Sequence, residues 1–406
     1  MADNCKISFS PAAFLVFVAP TMFFLLWLML GSPVYPWDAC WYRSIVERGY
    51  SFDGDVTRQQ NVAFLPGYPA VMIIFKLLLP FEIFTVQQVV SFLGYFVGAL
   101  FFYYFLSEKI GNIRSSFVVF LWSIMPFSIY FMNGYSECLY FALTGLTFYL
   151  LKKNHISLAC LTISYGLITR PHSLALIPVC FYYIYHLESA RTKTTFLSSL
   201  WRAGLRLLEL SPVILIFPMI LTIYWYFRFG DPLVYRSVMF AWDNINQPSL
   251  IADFPAVKIA FSRLFNGLGY NFYTIYEFDI TTLDPYYMAL IIFVLSMLFS
   301  VLFLFLRHYD VFIYHLVLLL FIMVTPGTMI NLGRHASGMF SLPFAIVMFL
   351  SCFNKVSGNL PEGFFRKCFV LICVSMGCLL VCLLVNIIFI HFVWYAVRYL
   401  SGVWVS

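Results

Sequence analysis

The chain has 406 residues, of which 62% are hydrophobic and 20% aromatic, but only 10% are charged, and its net charge is +6. A soluble domain carries about 25% charged residues, so this composition excludes an ordinary soluble enzyme and indicates an integral membrane protein. The Lys and Arg residues are scattered and form no basic run, which argues against a nucleic-acid-binding surface.

Apolar blocks recur along the whole chain and predict its membrane helices. They lie at about 11–31, 66–80, 86–106, 115–132, 138–151, 156–168, 173–187, 210–228, 287–306, 311–324, 337–353 and 368–395. A helix needs about 20 apolar residues to cross a bilayer, so one helical membrane domain uses up the chain. The first block has no small-residue cleavage site after it and is interpreted as a retained first helix.

Basic residues between the blocks orient the helices, because short cytoplasmic loops are enriched in Lys and Arg. The short basic loops hold Lys109 and Arg114, Lys152 and Lys153, Arg191 to Arg206, Arg307, and Lys355 to Lys367, and we predict that all of them lie inside. They alternate correctly only if the block 66–80, bounded by Pro66 and Pro80, does not cross but lies at the outer interface or re-enters. About eleven crossings then remain, with the N-terminus inside.

The longer polar segments then fall on the outer face. They are 32–62, 133–137, 169–172, 229–286 and 325–336, and they carry most of the 18 acidic residues. The segment 229–286 mixes aromatic residues with isolated charges, so we predict that it packs on the membrane surface. We expect one domain over 1–406, with the outer loops 32–85 and 229–286 forming the active-site face.

The first outer segment carries a carboxylate between two aromatic residues. It reads Pro36-Trp37-Asp38-Ala39-Cys40-Trp41. A carboxylate in this setting can act as a general base, and Trp faces are good surfaces for stacking sugar rings. The alternative is that Asp38 caps a short interfacial helix and that the Trp residues belong to the aromatic belt.

Further segments extend this pattern along the chain. They are Ile45-Val46-Glu47-Arg48-Gly49-Tyr50 with Ala63-Phe64-Leu65-Pro66-Gly67-Tyr68-Pro69; Pro126-Phe127-Ser128-Ile129 with Tyr135-Ser136-Glu137; Thr169-Arg170-Pro171-His172-Ser173; Phe229-Gly230-Asp231-Pro232-Leu233 with Ala241-Trp242; and Gly333-Arg334-His335 before Phe340 and Pro343. Together with Trp37-Asp38 they resemble the GPI mannosyltransferase family that adds the second mannose of the anchor, and its bacterial relatives. Ser173 stands where that family has Gly, and His335 stands where it has Tyr.

The resemblance implies membership of the GT-C class of polyprenyl-phosphate-sugar-dependent glycosyltransferases. The expected fold is an all-α polytopic membrane protein of GT-C-like type, with about 11 transmembrane helices, the interfacial segment near 66–80 and amphipathic helices on the outer face. In such enzymes the first luminal loop carries the catalytic aspartate, so the resemblance gives that role to Asp38.

The donor and acceptor require further groups at the same face. A sugar on a polyprenyl phosphate presents its phosphate at the membrane surface, where a guanidinium can form paired hydrogen bonds. The predicted donor phosphate-binding residues are Arg170, Arg334 and His335, with His172 as a further candidate, and the predicted substrate-binding residues are Trp37, Trp41, Asn61, Glu137 and Trp242.

Each of these residues has a plainer alternative. Arg170 and Arg334 can extend to lipid headgroups, and Glu137 suits the positive start of a helix. Asp231 before a proline is typical of a turn. Asp53 and Asp55 around Gly54 resemble a metal-binding pair but also a solvated turn.

The sequence thus predicts a glycosyltransferase that moves a sugar, with mannose implied by the resemblance, from a polyprenyl-phosphate donor to a hydroxyl of a lipid-linked or glycan acceptor, with inversion. The alternatives are a lipid-linked glycan transporter or flippase, and a non-catalytic membrane assembly subunit. The expected partners are the donor, the acceptor, membrane lipids and a small membrane subunit.

Cofactors and location follow from what the sequence lacks. The chain has no Walker loop, no GxGxxG, no CxxC and no HExxH, so we expect no cofactor, with a divalent cation as the alternative. It has no Asn-x-Ser/Thr site and no ER retrieval signal, which favours a bacterial inner membrane over the endoplasmic reticulum, with the active face extracytoplasmic or luminal.

Overall fold

The computed structural model describes residues 37–123, 130–131, 134–192, 195–241 and 306–324, with single residues within 18–25, 297–304 and 343–348. All regular elements among these residues are helical. The helices are α1 (Trp37–Arg48), α2 (Gly67–Leu78), α3 (Ile83–Ile110), α4 (Asn112–Ser123), α5 (Glu137–Lys152), α6 (Ile156–Leu167), α7 (Leu176–Thr192), α8 (Phe196–Phe229), α9 (Val234–Val238) and α10 (Tyr309–Val324). Short 3₁₀ turns cover Asn61–Ala63, Pro171–Ala175 and Met239–Ala241.

Two of the described helices are long and apolar enough to cross a membrane. They are α3, with 28 residues, and α8, with 34. At about 1.5 Å per residue, α3 is about 42 Å long, which exceeds the bilayer's hydrocarbon core of about 30 Å. Shorter apolar helices are Gly67–Leu78, Ile156–Leu167 and Tyr309–Phe321. The part of the chain that the structure describes bears out the predicted all-helical architecture, and the count of about eleven crossings stays a prediction.

The helix α2 has the geometry expected of an interfacial segment. Its 12 residues reach about 18 Å, which is too short to span the core. One face buries Tyr68 and Met72, while Ile74 and Leu77 on the other face are exposed. A helix that is buried on one side and exposes apolar residues on the other is suited to contact with lipid, and the interfacial or re-entrant placement of 66–80 stays a prediction.

Two predicted loops are largely helical. The basic segment 107–114 shrinks to Gly111, because α3 continues to Ile110 and α4 begins at Asn112. Most of the predicted loop from Arg191 to Arg206 likewise belongs to α7 and α8. The physical reason is that helix formation does not depend on contact with lipid. Lys, Arg, Leu and Glu favour helices in water as well, so a helix can extend beyond its apolar part.

The centre of the described bundle is the crossing of α3 and α5. A Cβ on Gly98 would lie 2.2 Å from Cδ1 of Phe141, so only glycine lets the helices approach this closely. Phe102 stacks on Phe141 at 4.9 Å, and Trp122 meets the same ring edge-on at 4.4 Å. This packing fixes α3 as the scaffold, and each end of α3 carries its own polar cluster.

Candidate active site

Asp38 lies in the first turn of α1 and is buried, with 8% of its surface exposed. A carboxylate in the first turn is favoured by the positive end of the helix dipole. Tyr42 follows one turn later, so both side chains project from the same face of α1. The neighbours of Tyr42 therefore indicate what this face meets.

The hydroxyl of Tyr42 donates to Oγ of Ser136 at 2.8 Å. The same oxygen accepts a hydrogen bond from a terminal nitrogen of Arg170 at 3.4 Å. That nitrogen also forms an ion pair with Oε1 of Glu137 at 2.5 Å. The structure thus brings three predicted site residues, Asp38, Glu137 and Arg170, to one end of the bundle.

The Glu137–Arg170 pair is almost fully removed from solvent. The side chain of Glu137 is 1% exposed and that of Arg170 is 10% exposed. Glu137 is the first residue of α5, where the helix dipole adds to its stabilisation. A guanidinium held by a buried carboxylate has a fixed orientation, and its charge is partly compensated.

The Pro-Gly-Tyr-Pro segment packs directly on the turn that carries Arg170. The backbone N–H of Gly67 donates to the carbonyl of Ile168 at 2.8 Å, and the Tyr165 hydroxyl donates to the Gly67 carbonyl at 2.8 Å. A Cβ on Gly67 would lie 2.2 Å from Oγ1 of Thr169, so this contact requires glycine. Two segments that are about 100 residues apart in sequence are therefore adjacent.

Asn61 is buried and joins the two ends of the first loop. Its Oδ1 accepts from the backbone N–H of Ser51 at 2.9 Å, and its Nδ2 donates to the carbonyl of Gly49 at 2.9 Å. Nearby, the Tyr50 hydroxyl donates to the carbonyl of Phe64 at 2.6 Å, and burial raises the pKa of Tyr50 above its usual value. Asn61 thus shapes the loop, and its role in substrate binding stays a prediction.

The aromatic residues of α1 are only partly described. Trp41 is half-buried and stacks on Phe64, with ring centroids 6.0 Å apart and an interplanar angle of 14°. Trp37 is the first residue of α1. Trp242, Arg334 and His335 lie outside the described residues.

The predicted turn at Phe229–Leu233 also reaches this end. The ring of Phe229 meets Phe52 of the first loop edge-on at 6.0 Å. Asp231 accepts from the backbone N–H of Leu233 at 2.8 Å and from Oγ of Ser237 at 3.0 Å. Asp231 is therefore a turn residue, and its segment contacts the first loop through Phe229.

Asp53 and Asp55 form a solvated turn with Arg58. The guanidinium of Arg58 pairs with Asp55 at 3.2 Å and with Asp53 at 3.7 Å. Hydrogen bonds from the side chain and backbone of Thr57 lower the pKa of Asp55. Over the described ranges, no three His, Cys, Asp or Glu residues are grouped so that they could hold a metal ion.

Sequence reasoning missed Gln87, a buried amide that contacts the backbone beside Asp38. Its Nε2 donates to the carbonyl of Ala39 at 3.0 Å and to that of Gly134 at 2.8 Å. The available signal was a glutamine inside the apolar block 86–106, since a polar group at that position needs a partner.

The opposite end of α3 carries a second buried ion pair. Lys109 contacts Oδ2 of Asp310 at 2.8 Å and Oδ1 at 3.0 Å. The Tyr183 hydroxyl donates to the same carboxylate at 2.7 Å. Gln87 and Lys109 are 22 residues apart on one helix, so the two clusters are about 33 Å apart.

No family model matches the chain, and no curated protein matches it significantly. Solved structures do. The Archaeoglobus fulgidus oligosaccharyltransferase in complex with Zn and sulfate matches with a TM-score of 0.50 at 12% identity, over 95% of this chain and 53% of that one. Its apo form matches with a TM-score of 0.50 at 11% identity, over 96% and 56%. ArnT from Cupriavidus metallidurans bound to undecaprenyl phosphate matches with a TM-score of 0.48 at 12% identity, over 96% and 75%.

The chain thus spans little more than half the length of the oligosaccharyltransferase it matches. At this identity the likeness concerns the fold alone. It bears out the predicted all-α fold, which resembles that of the archaeal oligosaccharyltransferase, while membership of the GT-C class stays a prediction. The narrower resemblance to the second-mannose GPI family stays a prediction.

Proposed function

We propose that the protein is a membrane glycosyltransferase that moves a sugar from a polyprenyl-phosphate donor to a hydroxyl of a lipid-linked or glycan acceptor. One observation carries this proposal. Asp38 projects from the same face of α1 as Tyr42. The Tyr42 hydroxyl donates a hydrogen bond to Ser136, which precedes Glu137 of the buried Glu137–Arg170 pair. A carboxylate and a guanidinium held at one end of the bundle are the groups that such a transfer needs.

The reaction is a single in-line displacement with inversion at the anomeric carbon. Asp38 removes the proton from the acceptor hydroxyl, whose oxygen bonds to the anomeric carbon while the bond from that carbon to the phosphate oxygen breaks. The leaving polyprenyl phosphate keeps the electron pair. Because this leaving group is already a stable anion, catalysis depends mainly on alignment and on the base.

The phosphate needs cationic hydrogen-bond donors. Arg170, Arg334 and His335 fill this role in the proposal. Glu137 fixes the orientation of Arg170 through their ion pair and compensates part of its charge before the anionic donor binds. Trp37, Trp41, Asn61 and Trp242 complete the substrate site in the proposal.

The fold supports the proposal by analogy. It is shared with an archaeal oligosaccharyltransferase, and one scaffold can carry related transfer reactions through different loops. Mannose as the sugar rests on the sequence resemblance alone. We propose further that the Asp38 end faces the extracytoplasmic or luminal side, in a bacterial inner membrane, and that transfer needs no metal.

The test is a transfer reaction with purified protein, polyprenyl-phosphate-mannose and a set of lipid and glycan acceptors. The expected result is a new glycoside formed in a 1:1 ratio with polyprenyl phosphate, because each transfer releases one carrier. A transporter would instead move a lipid-linked glycan across a vesicle membrane and form no bond. Such movement without any new glycoside from any acceptor would overturn the proposal.

The donor site has its own test. Arg334→Ala should weaken donor binding and leave the acceptor's KM nearly unchanged, since a guanidinium bound to phosphate contributes to the affinity for the donor. Donor affinity equal to that of the unmodified protein would mean that Arg334 does not bind the phosphate.

A further inference from the structure

Gln87 joins three chain segments around Asp38. The residue is 2% exposed and lies near the start of α3, inside an apolar helix. Its amide nitrogen uses both hydrogens, one to the carbonyl of Ala39 and one to the carbonyl of Gly134. Ala39 directly follows Asp38, and Gly134 lies three residues before Glu137. One amide thus links the backbone beside the proposed base to the turn that leads into the ion pair.

The turn at Gly134 is shaped around this amide. Gly134 has a φ of +75°, a conformation that costs other residues energy. A Cβ at that position would lie 2.6 Å from Cδ and 2.8 Å from Nε2 of Gln87. The amide and the turn therefore fit only while residue 134 has no side chain.

The backbone of Gln87 is itself anchored. The Tyr68 hydroxyl donates to the carbonyl of Gln87 at 3.2 Å and shares a hydrogen bond with Oγ of Ser91 at 2.8 Å. The ring of Tyr68 meets that of Tyr42 edge-on at 5.1 Å. The amide therefore extends from a fixed point on α3 to the start of α1.

The two hydrogen bonds of Gln87 offset the cost of burying its amide in an apolar helix. A leucine would pack in an apolar helix without the cost of burying an amide, so the polar group has a purpose only through its two carbonyl partners. The hydrogen bond of Tyr42 restrains α1 four residues after Asp38. The hydrogen bond of Gln87 restrains it at Ala39, the residue directly after Asp38. Two restraints fix both the position and the rotation of a short helix.

We propose that Gln87 is a positioning residue, which sets the placement of the Asp38 carboxylate relative to the Glu137–Arg170 pair without touching substrate. The effect on catalysis rests on the proposed function. The effect on the geometry of α1 does not depend on it. The two can therefore be measured separately.

The experiment compares Gln87→Leu with Thr85→Val, a control at an exposed position two residues earlier in the same helix. Hydrogen exchange should be about tenfold faster in α1 of Gln87→Leu, since release of one end promotes local opening, and it should be unchanged in α10 at the far end. In the transfer reaction, kcat should fall about 100-fold, while the KM for the donor changes less than about twofold. The control should match the unmodified protein in both measurements.

The two proposals fail in different ways. Unchanged exchange in α1 would overturn the positioning role, as would a rise in the donor KM at constant kcat. Faster exchange throughout α1, α5 and α10 would also overturn it, because Gln87 would then support the fold as a whole. If the unmodified protein forms no glycoside while exchange in α1 rises as expected, the proposed function fails and the positioning role stands.

A second variant reaches the same contact if Gln87→Leu does not fold. Gly134→Ala leaves the amide in place but puts a Cβ against it. It should reproduce the local exchange and the loss of kcat. Normal exchange in α1 of a folded Gly134→Ala protein would contradict the proposal.

Discussion

The two ends of α3 each carry a buried ion pair, but the surroundings of the two pairs differ. Each end buries one acid against one base: Glu137 with Arg170 at 2.5 Å, and Asp310 with Lys109 at 2.8 Å. At the Lys109 end the base contacts both carboxylate oxygens and Tyr183 adds a third hydrogen bond, so the pair closes on itself. At the Asp38 end, Arg170 also donates a hydrogen bond to Ser136, which accepts another from Tyr42. The pair is thereby connected to α1, the helix that carries Asp38.

The difference teaches that burial of an ion pair does not by itself mark a reactive site. Both pairs stabilise helix packing by joining segments far apart in sequence. Within the described part of the chain, the Asp38 end adds a second buried carboxylate, Asp38, and the amide of Gln87, which contacts the helix that carries it. The further carboxylate at the Lys109 end, Glu108, pairs with Lys153 and is 40% exposed. Substitutions at the two ends separate the stabilising role of a buried ion pair from the proposed catalytic role.

The largest effect is expected when the pair at the Asp38 end is broken. Arg170→Met leaves the carboxylate of Glu137 buried without its cation, which should lower the free energy of unfolding by about 3–5 kcal/mol. Transfer should fall below detection. Arg191→Met is the control, because Arg191 pairs with Glu188 at the surface and is 71% exposed. Unfolding in detergent measures the free energy of unfolding of both variants. Equal stability of the two variants would contradict a stabilising contribution from a buried pair.

Breaking the pair at the Lys109 end should cost stability without affecting chemistry. Lys109→Met leaves the carboxylate of Asp310 buried without its cation and should lower the free energy of unfolding by about 3 kcal/mol. The transfer rate per folded molecule should remain within about twofold of the unmodified value, since a base about 33 Å from Gln87 cannot act on substrate there. Adding Asp310→Leu should recover much of the stability, because removing both partners removes the cost.

Tyr42→Phe tests a single restraint on α1. The ring keeps its edge contacts with Phe64 and Tyr68, while the hydrogen bond to Ser136 is lost, at a cost of about 1 kcal/mol. The kcat should fall about tenfold because α1 keeps its second restraint. Tyr50→Phe, which loses a loop hydrogen bond instead, is the matched control. Equal kcat values for the two variants would show that the Tyr42 hydrogen bond does not affect the placement of Asp38.

The smallest effect is expected at the acidic turn. Asp53→Asn combined with Asp55→Asn removes the exposed contacts with Arg58 and should leave transfer unchanged. Addition of EDTA to the unmodified protein should likewise have no effect. Loss of transfer in both treatments would favour the divalent-cation alternative.

Local sequence features were enough to place Asp38, Glu137 and Arg170 together. Each lies in a polar segment between apolar blocks, and basic loops placed these segments on one face. The partner of Lys109 could not be predicted in this way, because Asp310 is 201 residues away and no local pattern connects them. Gln87 was missed because both of its partners are backbone carbonyls, which have no sequence signature.

The helix boundaries differ from prediction for a related reason. Hydropathy locates the part of a helix that contacts apolar surroundings, whereas the hydrogen bonds of the backbone continue past it. The helix α8 starts at Phe196, well before the predicted block at 210–228, and includes Arg202 and Arg206. Charged residues therefore mark where a helix leaves lipid and do not mark where it ends.

The central claim is that chemistry occurs at the Asp38 end alone. The most direct measurement compares Asp38→Asn with Asp310→Asn, the same substitution at the two ends, in one transfer reaction. The account predicts that Asp38→Asn folds and binds donor but loses about 100-fold or more in kcat, since general base catalysis contributes at least that much. It predicts that Asp310→Asn is less stable yet keeps the transfer rate per folded molecule. A fully active Asp38→Asn protein, or a folded and inactive Asp310→Asn protein, would contradict it.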